Sequence, residues 1–170
     1  MKQRSTDLLS TYLRYQGSPF SDPGFSILTL EYENVPMAAI TYQEWRALTN
    51  VQRLEKNYEA YATFSEFFQV VRDDQLDINP NEKELLDMLT KTQLHIQGLL
   101  NNLTSIMSAL GAPPPTAKDL LTLDITKAGF FEKKIRGYVV CQRYTEWLVR
   151  TEQDLTFLHS NFPNLRFVDK

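Results

Sequence analysis

Two residue pairs near the end of the chain could do chemistry, and in each a large ring stands three positions before a cation: Phe131 with Lys134, and Trp147 with Arg150. Residues three apart on a helix are neighbours on one face. A ring can fill a shallow apolar pocket on another molecule while the cation fixes orientation through a carboxylate or carbonyl. That is recognition chemistry, and such buried anchors dominate binding energy. Bond-making chemistry finds no comparable constellation. His95 and His159 lie in different segments with no Cys or Glu at metal-ligand spacing. The Glu-x-x-His signature of di-iron bundles is absent, as are a Gly-rich phosphate loop and a nucleophile elbow. The expectation is a protein that is not an enzyme and holds no metal or cofactor.

The segment that must position both pairs is the last helix, expected over Gly129–Leu158. At about 100° per residue, Phe130, Cys141, Tyr144, Leu148 and Leu155 form one apolar stripe. Trp147 falls about 100° from Leu148, Arg150 about 60° further round, and Phe131 on the opposite rim. These residues are read as turned outward. Phe131 as a core plug beside a solvated Lys134 is the alternative.

The chain of 170 residues is 42% apolar and 23% charged with a formal charge of −3. That suits one domain over residues 1–170 with a sizeable core. The negative balance argues against nonspecific nucleic-acid binding, and no stretch reads as a membrane span. Cys141 alone cannot form an intramolecular disulfide, and its place on the stripe reads as a small buried hydrophobe. Met1 to Arg14 has no apolar h-region, so no secretory signal is expected in this chain.

Helix A is expected over Thr6–Gln16, ended by Gly17-Ser18-Pro19. Thr41-Tyr42-Gln43-Glu44 and Thr49-Asn50-Val51-Gln52 are capping-box patterns; the first starts a short turn carrying Trp45, the second a helix B that runs to about Asp73. Asn79 as N-cap and Pro80 at the first position open helix C, which ends near Leu110 at Gly111 and Pro113-Pro114-Pro115. Helix C would be about 45 Å long, whereas the B–C link reaches only about 20 Å, so B and C run antiparallel. The other two links can cross the bundle lengthwise. The fold class is therefore all-α: a long-chain four-helix bundle, up-up-down-down, with two long crossover loops. Helix A, about 17 Å long, is too short to cover helix C. The second half of helix C, free of charge from Thr92 to Ala117, reads as largely buried core. Asn102-Leu103-Thr104 is a glycosylation sequon, expected to be hard to reach inside helix C and unused without a signal peptide.

The run Phe131-Glu132-Lys133-Lys134, with Trp147-Leu148-Val149-Arg150 and Asp154-Leu155, resembles the fourth helix of ciliary neurotrophic factor. Thr11-Tyr12-Leu13-Arg14-Tyr15 followed by Gly17-Ser18-Pro19-Phe20 is similar to cardiotrophin-like cytokine, as are Asn57-Tyr58-Glu59-Ala60-Tyr61 and Met107-Ser108-Ala109-Leu110-Gly111. The order is kept over most of the chain. It is identified as a member of the ciliary neurotrophic factor / cardiotrophin-like branch of the interleukin-6 family.

The resemblance implies a secreted or released neurotrophic-type cytokine, extracellular in action, with cytoplasmic storage before release as one route if no leader is used. It implies binding to a nonsignalling alpha receptor (ciliary neurotrophic factor receptor alpha) and recruitment of leukaemia inhibitory factor receptor and glycoprotein 130, activating JAK/STAT signalling. Phe131 and Lys134 match the family motif for leukaemia inhibitory factor receptor. Trp45, Trp147 and Arg150 match the surface that meets the alpha receptor, although Thr156 replaces a further family arginine. Trp45 packing its loop onto helix D is the structural alternative. A shortened helix A implies an impaired glycoprotein 130 contact on helices A and C. A monomer is expected, with no membrane insertion. An intracellular helical adaptor or carrier is the competing reading.

Overall fold

The computed structural model describes residues 1–27, 32, 34–113, 115 and 128–161, and five helices lie among them. They are α1 (Lys2–Gln16), α2 (Tyr42–Ala47), α3 (Asn50–Ile78), α4 (Lys83–Ala109) and α5 (Phe130–Asn161). Both capping boxes form as their spacing predicts. The Thr41 hydroxyl accepts from Glu44 N and the Thr49 hydroxyl from Gln52 N, while each N3 side chain reaches back to the cap N–H.

Helix α1 begins at Lys2 rather than the expected Thr6 and α5 runs on to Asn161 past the expected Leu158, and two further boundaries differ at the α3–α4 turn. Helix α3 runs five residues beyond Asp73 because its polar end has partners in other helices. Asp74 is buried against Arg136, and Gln75 bonds with Gln16 and Tyr12. Asn79 closes α3 instead of opening α4: its N–H donates to Gln75 O at 2.8 Å, and α4 starts at Lys83 with Glu82 as its cap. Pro80 therefore lies in the turn. Helix α4 ends in a Schellman motif, with Ala112 N donating to Met107 O and Gly111 N to Ser108 O. Gly111 has φ 73°, where a Cβ would be strained.

Contacts between helices fix their directions. Along α3 and α4, Arg72 meets Thr90, Gln69 meets Gln93 and Ser65 meets Gln97, so residue numbers fall on one helix as they rise on the other. The same holds for α3 and α5 (Arg53 with Asp154, Asp74 with Arg136). It holds for α1 and α5 (Lys2 with Glu152, Tyr12 with Lys134) and for α1 and α4 (Arg4 with His95, Arg14 with Glu84). Each contacting pair is antiparallel, so α1 parallels α3 and α4 parallels α5. Among the described residues the backbones of α1 and α3, and those of α4 and α5, stand diagonally without adjoining, and α1 reaches α3 through the side chains of Tyr12, Gln16 and Gln75. This is the up-up-down-down bundle with two long crossovers.

Tyr61, Phe64 and Phe68 of α3 meet Tyr144 of α5 edge-on, at 5.1–6.2 Å between ring centres. Cys141 is fully buried beside them and burial pushes its thiol far up, consistent with an inert small hydrophobe. The charge-free half of α4 departs from the expectation of general burial. Leu103 and Met107 are in the core, but Asn101, Asn102, Ser105 and Ser108 face solvent.

Helix α1 has 15 residues, about 22 Å, against about 40 Å for the 27 residues of α4. Its first turn has no side-chain cap and no acidic residue. Beyond it, Leu99, Leu148 and Leu155 line an open groove of about 850 Å³. One tie holds this end to α4: His95 Nε2 lies 2.9 Å from Arg4 Nη1 and accepts from it, which requires a neutral ring. Desolvation first, then the Arg4 charge, lowers the pKa of His95. A lowered imidazole pKa means stabilisation that is present above the unfolded value and lost as pH falls. Amide protection factors in the first turns of α1 should therefore drop between about pH 7 and pH 5. His95→Gln should flatten that dependence; an unchanged slope in the variant would contradict it.

Candidate functional site

The two ring-and-cation pairs occupy different levels of α5, about 24 Å apart along its axis for the 16 residues from 131 to 147, and the structure treats them differently. At the N-terminal end Phe131 is 59% exposed and Phe130 66% exposed. The Phe131 ring leans on Phe20 with 5.7 Å between ring centres; Phe20 is buried and its ring centre stands 4.9 Å from that of Phe25, which in turn meets Tyr138 edge-on at 5.3 Å. Phe131 is thus supported from below and open above, which excludes the core-plug alternative. Lys134 is half-buried and its ammonium donates to Gln16 O, the last carbonyl of α1. There it satisfies an orphan carbonyl at the negative end of the helix dipole. It is a helix cap, not the solvated neighbour of the alternative reading. Lys133 pairs with Asp77 at 2.7 Å.

At the second level the expectation of outward residues is corrected. Trp147 is 5% exposed and Arg150 7% exposed. The crossover is the cause: Arg150 Nη1 donates to Ala38 O at 3.3 Å, and Pro36, Met37, Ala39 and Ile40 line the groove into which Trp147 and Arg150 form part of the wall. This groove, about 510 Å³, is bounded on its other side by α3 residues including Tyr58, Glu59 and Thr63. The guanidinium of Arg150 lies 4.5 Å from the centre of the Trp147 ring.

Trp45 does reach the same region, and it does so as the packing alternative describes. Its indole N–H donates to Asp154 Oδ1 at 2.8 Å, and its ring lies 5.4 Å from Phe157. Asp154, fully buried, is the hub. Arg53 Nη1 donates to Oδ1 at 3.1 Å, Asn57 Nδ2 donates to Oδ2 at 2.8 Å, and Arg150 Nε approaches Oδ2 to 3.7 Å. Arg53, also fully buried, is sandwiched 4.3 Å from Trp45 and 4.5 Å from Phe157 and donates to Trp45 O. One carboxylate therefore serves two buried guanidiniums, which leaves a local excess of positive charge. Desolvation, with a smaller part from Arg53, lowers the pKa of Arg150. The indole N–H of Trp147 and Nη2 of Arg150 have no hydrogen-bond partner among the described residues.

Sequence reasoning missed Arg53, Asn57 and the role of Asp154. A signal was present: Arg53, Asn57 and Tyr61 recur every four residues beside the apolar stripe of helix B, an inward position that a charged residue holds only with a partner. His95 and His159 stay apart, and no cluster able to hold a metal occurs among the described residues.

A bundle of this winding, with ring-and-cation pairs at two levels of its last helix and long crossovers strapping its sides, is the build of a long-chain helical cytokine. Comparison with known proteins agrees. A family model described as plethodontid receptivity factor PRF matches residues 1–164. The chain is 40% identical to cardiotrophin-2 of Mus musculus over 162 residues, 95% of this chain and 79% of the relative. It is 32% identical to cardiotrophin-1 of Rattus norvegicus over 154 residues (87% and 74%), and 27% identical to ciliary neurotrophic factor of Homo sapiens over 158 (92% and 76%). The chain belongs to the ciliary neurotrophic factor and cardiotrophin branch of the interleukin-6 cytokine family. It is a cytokine, not an enzyme, and cytokine receptors are its general class of partner. Among the described residues no helix is long and apolar enough to cross a membrane.

Proposed function

We propose that the chain acts outside cells as a neurotrophic-type cytokine. It binds a nonsignalling alpha receptor, the ciliary neurotrophic factor receptor alpha type, and draws leukaemia inhibitory factor receptor and glycoprotein 130 together to start JAK/STAT signalling. The observation that carries this reading is the exposed Phe131 ring, held on a long helix over a buried aromatic base. Lys134 stands one turn on. Together they offer leukaemia inhibitory factor receptor an apolar anchor and, through the ammonium N–H donors not engaged by Gln16 O, a directional cation. An intracellular adaptor or carrier would have no use for a large ring kept in water at a helix end.

Trp45, Trp147 and Arg150 serve the alpha receptor in this proposal, in a way fitted to their burial. Trp45 is the part-exposed member, while Arg150 places positive charge behind the groove that Trp147 helps to line. An acidic receptor surface is the match. Residues of α1 and α4 would meet glycoprotein 130.

Phe131→Ala is the cleaner test than changing both residues, because removing Lys134 also uncaps α1. Loss of an anchor of about 2 kcal/mol corresponds to roughly 30-fold weaker binding to soluble leukaemia inhibitory factor receptor. Helical circular dichroism and binding to soluble alpha receptor should be unchanged. Wild-type affinity for leukaemia inhibitory factor receptor in a well-folded variant would defeat the assignment.

A further inference from the structure

The outer face of α4 in its second half is unusual for a helix in water. Gln97, Gly98, Asn101, Asn102, Ser105 and Ser108 are exposed, and none is charged. Exposed helix faces ordinarily carry Lys, Arg, Glu and Asp for solubility. Asn102 lies in the middle of this face and opens the sequence Asn102-Leu103-Thr104. Leu103 is fully buried, which locks the register and keeps Asn102 outside. The Asn102 carboxamide makes no hydrogen bond among the described residues, and of its helix neighbours one turn away Gly98 and Ser105 are small while Leu99 and Ile106 are half-buried. Around Gly98 the space that a Cβ would enter is open.

We propose that Asn102 is an N-linked glycan acceptor when the chain passes through a secretory route, and that the uncharged face of α4 is the surface the glycan covers. In the transfer, Nδ2 of Asn102 attacks the anomeric carbon of a lipid-pyrophosphate-linked oligosaccharide. A C–N bond forms, the sugar–phosphate C–O bond breaks, the amide gives up one proton and the lipid pyrophosphate departs. Thr104 supplies the hydroxyl the transferase reads. A closed helix cannot present the sequon, so transfer precedes folding of α4, and the fold has only to accommodate the product. An exposed acceptor on an uncharged face does so: a bulky polar chain solvates the face in place of ionic side chains.

The position also leaves the Phe131 and Trp45 surfaces open, and the part of α4 that adjoins α1, from Glu84 to His95, stays free for glycoprotein 130. Asn102 is about 28 Å along α4 from Lys83, and Lys83 lies at the end of the bundle that carries Phe131. Trp147 is on α5, the helix diagonal to α4, and its groove is walled by the crossover and α3 rather than by α4. The inference rests on the extracellular part of the proposed function and on nothing in its receptor assignments.

The test is expression of the full chain behind a cleavable leader in eukaryotic cells, with intact mass measured before and after peptide N-glycosidase. The expected product has a glycan whose removal converts Asn102 to Asp. Asn102→Gln and Thr104→Ala should abolish it, and Thr104→Ser should keep it. A leader-cleaved product of unmodified mass overturns the proposal. So does a glycosylated product that fails to fold while Asn102→Gln folds. Receptor phosphorylation by the Asn102→Gln protein, measured separately, reports on the receptor reading alone.

Discussion

Replacing Asp154 with alanine is expected to lower the stability of the bundle by about 3–5 kcal/mol, the usual result of removing one partner from a buried ion pair. The cause is what remains. Arg53, with no exposed surface, and Arg150, 7% exposed, would face each other without the carboxylate that now lies between them. Asn57 and the Trp45 indole would each lose an acceptor in a site water does not reach. At roughly 2–4 °C per kcal/mol for a chain of this size, the melting midpoint should fall by roughly 6–20 °C. Asp87→Ala is the control, since it removes an exposed i,i+4 pair with Lys91 and should change stability by less than about 0.5 kcal/mol. Equal effects from the two substitutions would show that the Asp154 hub holds nothing together. Binding to alpha receptor should weaken as well, because Trp45 is anchored to α5 through this carboxylate.

The same hub belongs to a larger arrangement between α3 and α5. Helix α3 carries Arg53 near its start and Asp74 near its end, whereas α5 carries Arg136 near its start and Asp154 near its end. Antiparallel packing in the observed register brings each charge to its opposite. A parallel packing would bring Arg53 toward Arg136 and Asp74 toward Asp154, burying like charges. The two pairs thus penalise the wrong orientation more than they stabilise the right one, which is the best-attested use of buried ion pairs.

Local signals account for what was legible in the sequence. The capping boxes at Thr41 and Thr49 depend on residues three apart, so they could be read directly. The short B–C link forced an antiparallel pair by length alone, and the winding followed. The end of α3 was not legible, because the stretch from Asp74 to Asn79 reads as a polar link until Arg136, 62 residues away, is known to lie beside Asp74. Asn79 likewise looked like a cap for the helix after it, and its bond to Gln75 made it the end of the one before. The exposure of Phe131 could be inferred from its rim position on a single helix. That of Trp147 and Arg150 could not: helical periodicity gives the direction of a side chain from its own axis and says nothing about a crossover laid over it.

The second large effect is expected at Gly137, and it ties the packing of α1 to the Phe131 surface. A Cβ at this position would stand 2.1 Å from the Tyr12 hydroxyl oxygen and 2.4 Å and 2.7 Å from two ring carbons. Tyr12 cannot step aside. It is fully buried, its hydroxyl donates to Lys134 O at 3.0 Å and accepts from Gln75 Nε2 at 3.2 Å, and desolvation first of all raises its pKa so that it stays a donor. Gly137→Ala must therefore move α1 away from α5 or break both hydrogen bonds. Overpacking of this kind typically costs about 1–3 kcal/mol, and each buried hydroxyl partner left unsatisfied adds about 1–3 kcal/mol. Tyr12→Phe should not rescue the variant, because the clashing ring carbons remain, whereas Tyr12→Leu should recover part of the loss in chemical denaturation. The displacement reaches the proposed receptor surface through two contacts: Lys134 holds the last carbonyl of α1, and Phe20, just beyond α1, is the base under Phe131. Gly137→Ala should thus weaken binding to leukaemia inhibitory factor receptor even at temperatures where it is folded, and the Tyr12→Leu background should restore part of that binding. Full receptor affinity in a measurably destabilised Gly137→Ala protein would show that the Phe131 surface does not depend on where α1 ends.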